Sequence, residues 1–419
     1  MKRIVILGAG TGGVILANTL SRKLPDWDIT IIDKAAEHIY QPGLLFIPFR
    51  LHGYETWDDI AQPIRTPIPD GVRFVVSEVK GIDYAANRVE TTVGVIEYDW
   101  LIMAMGCHLA PEAVEGLPES MGKNAFTYYE PNGAFELQKA LDGFKGGKVV
   151  LNIAEMPIKC PVAPIEFVFM ADYYFHLKGI RDKVEIEFVT PLTGAFTKPM
   201  ASEVLGRIAA EKNIKITPNF DISGVDHDGK VISSYSGGKV DYDLLVSIPP
   251  NVGPEVIDDS GLGNGAGYAL TEMKTLKSKK AGNIYVLGDN TDVPTSKAGS
   301  VAHFEAEVVE TNIIREINGQ QPLPDYDGHS NCFIESGFGK ALLFDFNYDT
   351  EPLPGMFPLA HVGPMSLLKE TRLNHWGKLA FKQVYWNLLL TGHLPGDPLL
   401  PVQMSMEGKD LSHYKKGGH

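Results

Sequence analysis

The chain is short of cysteine, of long apolar runs and of positive charge. Its three cysteines are an odd number among 419 residues, and their spacing fits neither a disulfide framework nor a zinc site. No apolar run reaches the roughly 18 residues of a transmembrane helix. The net charge of −14 argues against a general nucleic-acid-binding protein. We therefore predict no metal, no nucleic-acid partner, and cysteines that serve redox or nucleophilic chemistry in a reducing compartment.

The two ends of the chain are also informative. The basic start, Met1 to Arg3, is followed only by a short strand before a glycine turn, so no signal peptide is expected. Residues 366–419 hold seven Lys/Arg and four Asp/Glu, a balance of +3, which leaves −17 for residues 1–365. The length suits two or three domains with large cores.

The strongest local signal is a strand, a glycine-rich turn and a helix near the start of the chain. Gly8, Gly10 and Gly13 form a G-x-G-x-x-G motif, and a second strand ends at Asp33. The glycines would allow the tight turn, the close approach of a pyrophosphate and the packing of helix on strand. Asp33 would accept a ribose hydroxyl, and we place the adjacent Lys34 at the same cofactor site. The motif predicts dinucleotide binding but does not separate FAD from NAD.

Two later segments favour FAD. One strand ends in Gly106-Cys107, and another ends in Gly288-Asp289 before a long predicted helix. These segments resemble the signatures of FAD-dependent, disulfide-reductase-like flavoproteins, with Met105 where that superfamily has threonine. The resemblance implies that Asp289 binds the ribityl chain and that the helix start faces the flavin ring. Cys107 reads as a packed residue rather than a catalytic one. The cofactor residues assigned here are Gly106, Gly288, Asp289, Lys297 and Gly299.

A second strand–turn–helix unit, at residues 148–178, lacks the glycines. Its turn runs from Glu155 to Pro161 and carries Cys160 just before the helix. Without glycines the backbone cannot approach a pyrophosphate closely, so we expect no ordinary NAD(P)H binding here. The helix N-terminus and Lys159 favour a thiolate at Cys160. The alternative interpretation is a small buried cysteine that packs a core helix.

The order of these units predicts an α/β fold with two Rossmann-like dinucleotide-binding domains, the second inserted in the first and degenerate. We expect the first half of an FAD domain at 1–110, the insertion at 111–262, the second half at 263–324 and a C-terminal region at 325–419. Within that region, residues 366–390 mix Trp, Tyr, Leu and Lys and are predicted to form an amphipathic helix. It suits either a membrane interface or docking on a protein surface.

The whole chain resembles the sulfide:quinone oxidoreductases. The matching segments are the Gly8–Gly13 turn, Pro157–Glu166 with its Lys-Cys-Pro turn, Gly288-Asp289 with residues 294–299, and the pair Cys332-Phe333. The resemblance implies FAD, peripheral membrane attachment through the C-terminal helices, oxidation of hydrogen sulfide to polysulfide or sulfur, and reduction of a membrane quinone. The oligomeric state stays open, with a homo-oligomer possible.

The resemblance also implies roles for individual residues. Cys160 and Cys332 would be the redox pair, Glu166 a proton carrier and Phe333 part of the quinone pocket, with Lys369 or Lys378 beside the flavin or quinone. Two features differ from many members of the family: residues 113–130 hold no third cysteine, and residues 191–196 hold no histidine. Covalent attachment of FAD and the handling of protons are therefore left open.

Three other functions share parts of this pattern. A type-II-like NADH:quinone oxidoreductase has the same plan but needs a glycine-rich second turn. The flavoprotein subunit of a flavocytochrome would transfer electrons to haem and would normally be exported. A non-catalytic FAD-binding sulfur sensor would bind FAD and sulfide without turnover of quinone.

Overall fold

The computed structural model describes residues 2–360, 362–394 and 400–412. Its strands, in chain order, are β1 (Arg3–Leu7), β2 (Asp28–Asp33), β3 (Glu37–Ile39), β4 (Ala61–Pro63), β5 (Arg73–Val76), β6 (Val79–Asp83), β7 (Arg88–Thr91), β8 (Gly94–Glu97), β9 (Trp100–Met103), β10 (His108–Leu109), β11 (Ala125–Phe126), β12 (Gly147–Ile153), β13 (Val184–Val189), β14 (Ile214–Thr217), β15 (Ile222–Asp226), β16 (Val231–Ser234), β17 (Lys239–Asp241), β18 (Leu244–Ile248), β19 (Asn251–Val252), β20 (Ile284–Val286), β21 (Ser330–Gly337), β22 (Lys340–Phe346), β23 (Gly355–Leu359) and β24 (Gly363–Leu367). The α-helices are α1 (Thr11–Lys23), α2 (Leu117–Ser120), α3 (Pro131–Gly143), α4 (Ala163–Leu177), α5 (Pro199–Glu211), α6 (Glu255–Asp259), α7 (Gly299–Ile317) and α8 (Arg372–Val384).

The first sheet is parallel and has the order β20-β9-β1-β2-β5. Its central strand β1 is apolar and buried at residues 4–7, as expected for a strand covered on both faces. Helices α1 and α7 pack against each other beside this sheet. Because β20 comes from residues 284–286, the chain returns to the first sheet after it has formed a second one. This confirms the predicted α/β architecture with Rossmann-like units.

The second sheet is also parallel, with the order β11-β18-β12-β13-β14. Helix α4 follows its strand β12 and is buried continuously from Ala163 to Asp172. A helix that is apolar on nearly all sides needs to be enclosed by the protein. Helix α4, which follows the Cys160 turn, is therefore enclosed by the protein, and it also contacts β21.

The C-terminal helix begins later than predicted. Residues 363–367 form β24, which pairs with β23, and α8 starts only at Arg372. The Thr371 side chain accepts the N–H of Asn374, so it caps the helix and fixes its first residue. The prediction of one helix over 366–390 was wrong in its first turn and a half, while a π-helical turn continues α8 over Tyr385–Leu389.

The segment between β2 and β5 contains two short strands and several 3₁₀ turns. Its apolar side chains from Leu44 to Phe49 are buried. Within the ranges that the structure describes, no helix is both long and apolar enough to cross a bilayer. Part of the predicted C-terminal region, residues 395–399 and 413–419, lies outside the described residues.

Candidate functional site

One cavity lies where the glycine turn, the Cys160 turn, strand β21 and helix α8 meet. It is lined by residues from all four, including Gly10, Cys160, Cys332 and Lys378. The sheet edge at the start of α1 is where doubly wound folds hold their ligands. The residues singled out in four distant parts of the sequence therefore share one space.

The glycine turn is built to receive an anion. Gly8 has φ +96°, and a side chain at Gly13 would place its Cβ 1.9 Å from the Gly8 carbonyl oxygen. Both positions therefore require glycine. Gly10 and Gly12 line the cavity at the start of α1, where the first N–H groups of a helix have no partner within the helix. This arrangement fits a pyrophosphate group.

The structure places Asp33 at the end of β2, as predicted, and Lys34 away from the cavity. The Asp33 carboxylate accepts the N–H groups of Ala9 (2.7 Å) and Ala35 (2.8 Å), so it fastens the glycine turn to the end of β2. Lys34 is exposed and does not line the cavity. The structure therefore supports a positioning role for Asp33 and gives Lys34 no contact with the cofactor space.

The second half of the cofactor space comes from the segment around β20. Gly288, Asp289 and Gly299 line the cavity, as does Gly106 at the end of β9. Burial raises the pKa of the Asp289 carboxyl, and the nearby Lys297 opposes that shift. Burial also lowers the pKa of Lys297, whose Nζ donates to the Thr291 carbonyl at 2.8 Å. A buried acid without a full ion pair suits a ligand rich in hydroxyl groups, such as a ribityl chain.

The Cys160 turn uses its N–H groups internally. Cys160 donates its N–H to the Lys297 carbonyl (2.5 Å), and Lys159 donates its own to Asn251 Oδ1 (3.1 Å). The Ala163 N–H donates to the Cys160 carbonyl at 2.9 Å. Cys160 itself adopts the left-handed conformation, with φ +46°. A nucleotide phosphate would find these three donors already engaged.

Cys160 and Cys332 both face the cavity as free thiols. Burial raises the pKa of Cys160, and the neighbouring Cys332 and Glu166 raise it further. Burial, with Glu166 next in effect, raises the pKa of Cys332 to about 11. The expectation that the helix N-terminus and Lys159 would make Cys160 a thiolate was therefore wrong: loss of hydration outweighs the helix dipole here.

Glu166 lies one turn into α4 and links the two cysteines to the C-terminal helix. Its carboxylate accepts the N–H of Glu335 and pairs with Lys378 Nζ. Burial raises the pKa of Glu166, and Lys378 opposes that shift. Lys378 Nζ also donates to the Phe333 carbonyl at 3.3 Å. A proton acceptor, a cation and an aromatic ring thus stand together on one side of the cavity.

The structure separates the two lysines that the sequence left open. Lys378, in α8, lines the cavity, whereas Lys369 is exposed in the turn before α8 and does not. Cys107 also lies outside the lining, with its Sγ 3.8 Å from Asn251 Oδ1. Burial raises the pKa of Cys107 to about 12. It has the surroundings of a packed residue.

Sequence reasoning missed Tyr385 and His38. The Tyr385 hydroxyl lies 2.8 Å from Thr11 Oγ1 and 2.6 Å from His38 Nε2, and His38 Nδ1 contacts the Ala9 carbonyl at 2.9 Å. The tail of the chain is thereby attached to the glycine turn at its start. A tyrosine within an apolar helix run and a histidine in a loop carry no motif, so only the fold brings them together.

Comparison with known proteins agrees with this geometry. The sequence profile of the pyridine nucleotide-disulphide oxidoreductase family matches residues 2–150. The mitochondrial sulfide:quinone oxidoreductase of Mus musculus is 27% identical over 410 residues, which cover 95% of this chain and 88% of that protein. The Dictyostelium discoideum protein of the same name is 29% identical, over 94% of this chain and 86% of that protein. The crystal structure of the sulfide:quinone oxidoreductase from Aquifex aeolicus superposes with a TM-score of 0.77 at 24% identity, over 94% of this chain and 93% of that one.

Proposed function

From the homology of this chain to the sulfide:quinone oxidoreductases over almost its whole length, we propose that it is an FAD-dependent enzyme that oxidises sulfide and reduces a quinone. The observation that carries the proposal is the single cavity shared by the glycine turn, the Cys160–Cys332 pair and the Phe333–Lys378 side. The first would hold the cofactor, the second would react with sulfide, and the third would bind the quinone.

The residues present fit FAD. The start of α1 at Gly10 would hold the pyrophosphate, and Asp289 would hold the ribityl chain. The start of α7 at Gly299 would face the ring. When bound, FAD takes up two electrons from the sulfur side and delivers them to the quinone.

On the sulfur side, the two cysteines perform the chemistry. Attack of hydrosulfide on an oxidised Cys160–Cys332 bridge would form a persulfide on Cys160 and release the sulfur of Cys332. Loss of two electrons and one proton from this pair re-forms a bridge with one extra sulfur atom. Because burial raises both thiol pKa values, any proton that the released sulfur takes up must leave again before the bridge re-forms, and Glu166, whose charge acts on both thiols, would be its acceptor.

On the quinone side, Phe333 and Phe381 provide apolar lining, and Lys378 provides the positive charge that a reduced quinone oxygen attracts. The ion pair between Lys378 and Glu166 connects this side to the cysteine side. Protons released in sulfide oxidation are therefore close to the place where quinone reduction consumes them. The carboxylate of Glu166 would therefore serve both sides, because it lies between the cysteines that release protons and the quinone that takes them up.

The NADH-dependent alternative is disfavoured by the Cys160 turn. Its N–H groups are bonded to Lys297 and Asn251, and Glu155 adds negative charge. A nicotinamide dinucleotide needs free N–H groups at this position.

Replacement of the two cysteines tests the proposal. In Cys160→Ser and in Cys332→Ser, we expect sulfide-dependent reduction of a soluble quinone to fall at least about 10³-fold, as for loss of a nucleophile. FAD absorbance should remain that of the wild type. Cys107→Ser is the matched control and should keep its turnover. Wild-type turnover in either of the first two variants would contradict the two-cysteine mechanism.

We further propose that the protein attaches to the membrane surface through α8 and the β23–β24 hairpin. Apolar side chains are exposed on both, notably Trp376 (68%), Leu373 (43%) and Val362 (70%). Tryptophan and leucine beside lysine suit the lipid interface. Trp376→Ser with Leu373→Ser should lower sedimentation with phospholipid vesicles about tenfold, while Tyr235→Ser, an exposed aromatic residue on the second sheet domain, should not.

A further inference from the structure

Three side chains with metal-binding atoms meet beside the quinone-side wall of the cavity. They are His52, Glu335 and His375, and one donor atom from each lies within 4.8 Å of the other two. They come from the loop after the second 3₁₀ turn, from β21 and from the first turns of α8. No local sequence pattern predicts this cluster, because the three residues lie far apart in the chain.

We propose that His52, Glu335 and His375 bind a divalent transition-metal ion of the zinc type. Two imidazoles and one carboxylate are a donor set that zinc uses where a fourth position is left to water. His375 Nδ1 lies 2.9 Å from both Glu335 oxygens. Bonds of about 2.0–2.1 Å to nitrogen and oxygen hold neighbouring ligand atoms at about 3.3 Å, so this pair is already at a suitable spacing.

The bond changes at the site are simple. A metal ion would take the lone pair at His375 Nδ1, and the proton on that nitrogen would leave for Nε2 or for solvent. His52 is exposed and needs only a small movement of its side chain to complete the set. Its left-handed backbone, with φ +57°, turns the imidazole towards α8, where the two histidine rings lie 5.1 Å apart.

The charge at the site suits a cation. Glu335 is fully buried, and both of its carboxylate oxygens lie 2.9 Å from one nitrogen, His375 Nδ1. A buried carboxylate without a cationic partner is unfavourable. Lys378 is the nearest positive charge, but it is paired with Glu166. Among the described residues, Glu335 forms no ion pair with a lysine or an arginine, so its buried carboxylate is open to a bound cation.

The position links metal binding to the cavity. The His52 ring contacts Phe46 at a centroid distance of 5.3 Å, and Phe46 lines the cavity. His375 stands one turn before Lys378 on α8. A metal ion would join the loop at His52 to this helix and hold Phe46 and Lys378 in fixed positions. The site is thus placed to alter the quinone side without contact with the cysteines.

The test uses the FAD-loaded protein in buffer without sulfide. We expect calorimetry to show one Zn²⁺ per chain, and Co²⁺ to give visible bands at longer wavelength than the flavin absorption, with no competition from Mg²⁺. His52→Asn retains a residue that tolerates the left-handed backbone and removes the imidazole. Because even an outer-shell partner contributes about 10–100-fold, loss of this direct ligand should weaken Zn²⁺ binding at least about 100-fold.

His375→Gln should have the same effect as His52→Asn, and His393→Ala, which removes an exposed histidine elsewhere, should have none. Absence of Zn²⁺ binding to the wild-type holoprotein would overturn the proposal. Wild-type affinity in His52→Asn would overturn it equally, and because His52 is exposed, that variant does not depend on repacking of the core. Failure of either kind leaves the sulfide–quinone activity of the cysteines untouched.

Discussion

The two strand–turn–helix units of this chain have the same topology, but their turns present different chemical groups to the cavity. In the first, the turn at Gly8–Gly13 leaves the starting N–H groups of α1 facing the cavity. In the second, the turn at Glu155–Pro161 directs its N–H groups to Lys297 and Asn251 and presents a thiol instead. One unit offers backbone N–H groups to the cavity, and the other offers a thiol.

The comparison shows that the strand–turn–helix arrangement of a nucleotide-binding unit can serve as a scaffold even where its turn has no free N–H groups for a nucleotide. Strand β12 and helix α4 still direct the turn into the cavity, and Cys160 lines that cavity. The scaffold therefore positions a sulfur atom beside the flavin site by the same geometry that positions a nucleotide elsewhere.

The largest expected effect comes from filling the first turn. Gly13→Ala would place a Cβ 1.9 Å from the Gly8 carbonyl oxygen, so we expect a destabilisation of about 3 kcal/mol and loss of bound FAD. Gly10→Ala is the matched control for the fold, because no protein atom lies within 4 Å of its added Cβ. It should fold normally but bind FAD more weakly. Chemical denaturation and FAD content measure both, and equal behaviour of the two variants would contradict the pyrophosphate assignment.

The next effect concerns the buried ion pair that follows the second turn. In Glu166→Gln we expect a loss of about 3 kcal/mol, because Lys378 is left buried without its partner. The two side chains are only 3% and 11% exposed. The double variant Glu166→Gln with Lys378→Met should recover part of this loss in urea denaturation. The second single variant of this cycle is Lys378→Met. If the stability losses of Glu166→Gln and Lys378→Met simply add in the double variant, the two side chains are not coupled.

The smallest effect concerns the thiol of Cys332 on β21, which shares the cavity with the Cys160 turn. Because burial raises the pKa of Cys332 to about 11, its thiol is protonated at neutral pH and its thiolate fraction rises with pH. Alkylation of reduced Cys332 by iodoacetamide, followed by mass spectrometry, should therefore accelerate about tenfold per pH unit between pH 7 and 10. A rate that is constant from pH 7 to 9 would mean that Cys332 is already a thiolate at neutral pH, which would contradict the effect of burial on its pKa.

Much of the fold could be predicted because the sequence patterns that indicate it are local. Glycine spacing, apolar strands and the acid at position 33 predicted the first unit, and the missing glycines predicted the different second turn. The start of α8 was misplaced, since Ser366 and Leu367 belong to β24 and only the Thr371 cap marks the true beginning. The ionisation of Cys160 was misjudged because burial, which opposes the helix dipole, is a property of the whole fold.

The site was predictable only in part for the same reason. Cys160, Cys332 and Glu166 carried recognisable neighbours in sequence, whereas Lys378 could not be separated from Lys369 until the fold showed which one lines the cavity. Tyr385 and the His52–Glu335–His375 cluster have no local pattern at all. They are products of tertiary packing between the start of the chain, β21 and the tail.

The central claim is that the second turn serves sulfur and not a nicotinamide. Anaerobic titration of the flavin absorbance with sulfide and, separately, with NADH tests it most directly. The account predicts that sulfide bleaches the flavin, that added quinone restores it, and that NADH leaves it oxidised. Bleaching by NADH with no response to sulfide would contradict the account.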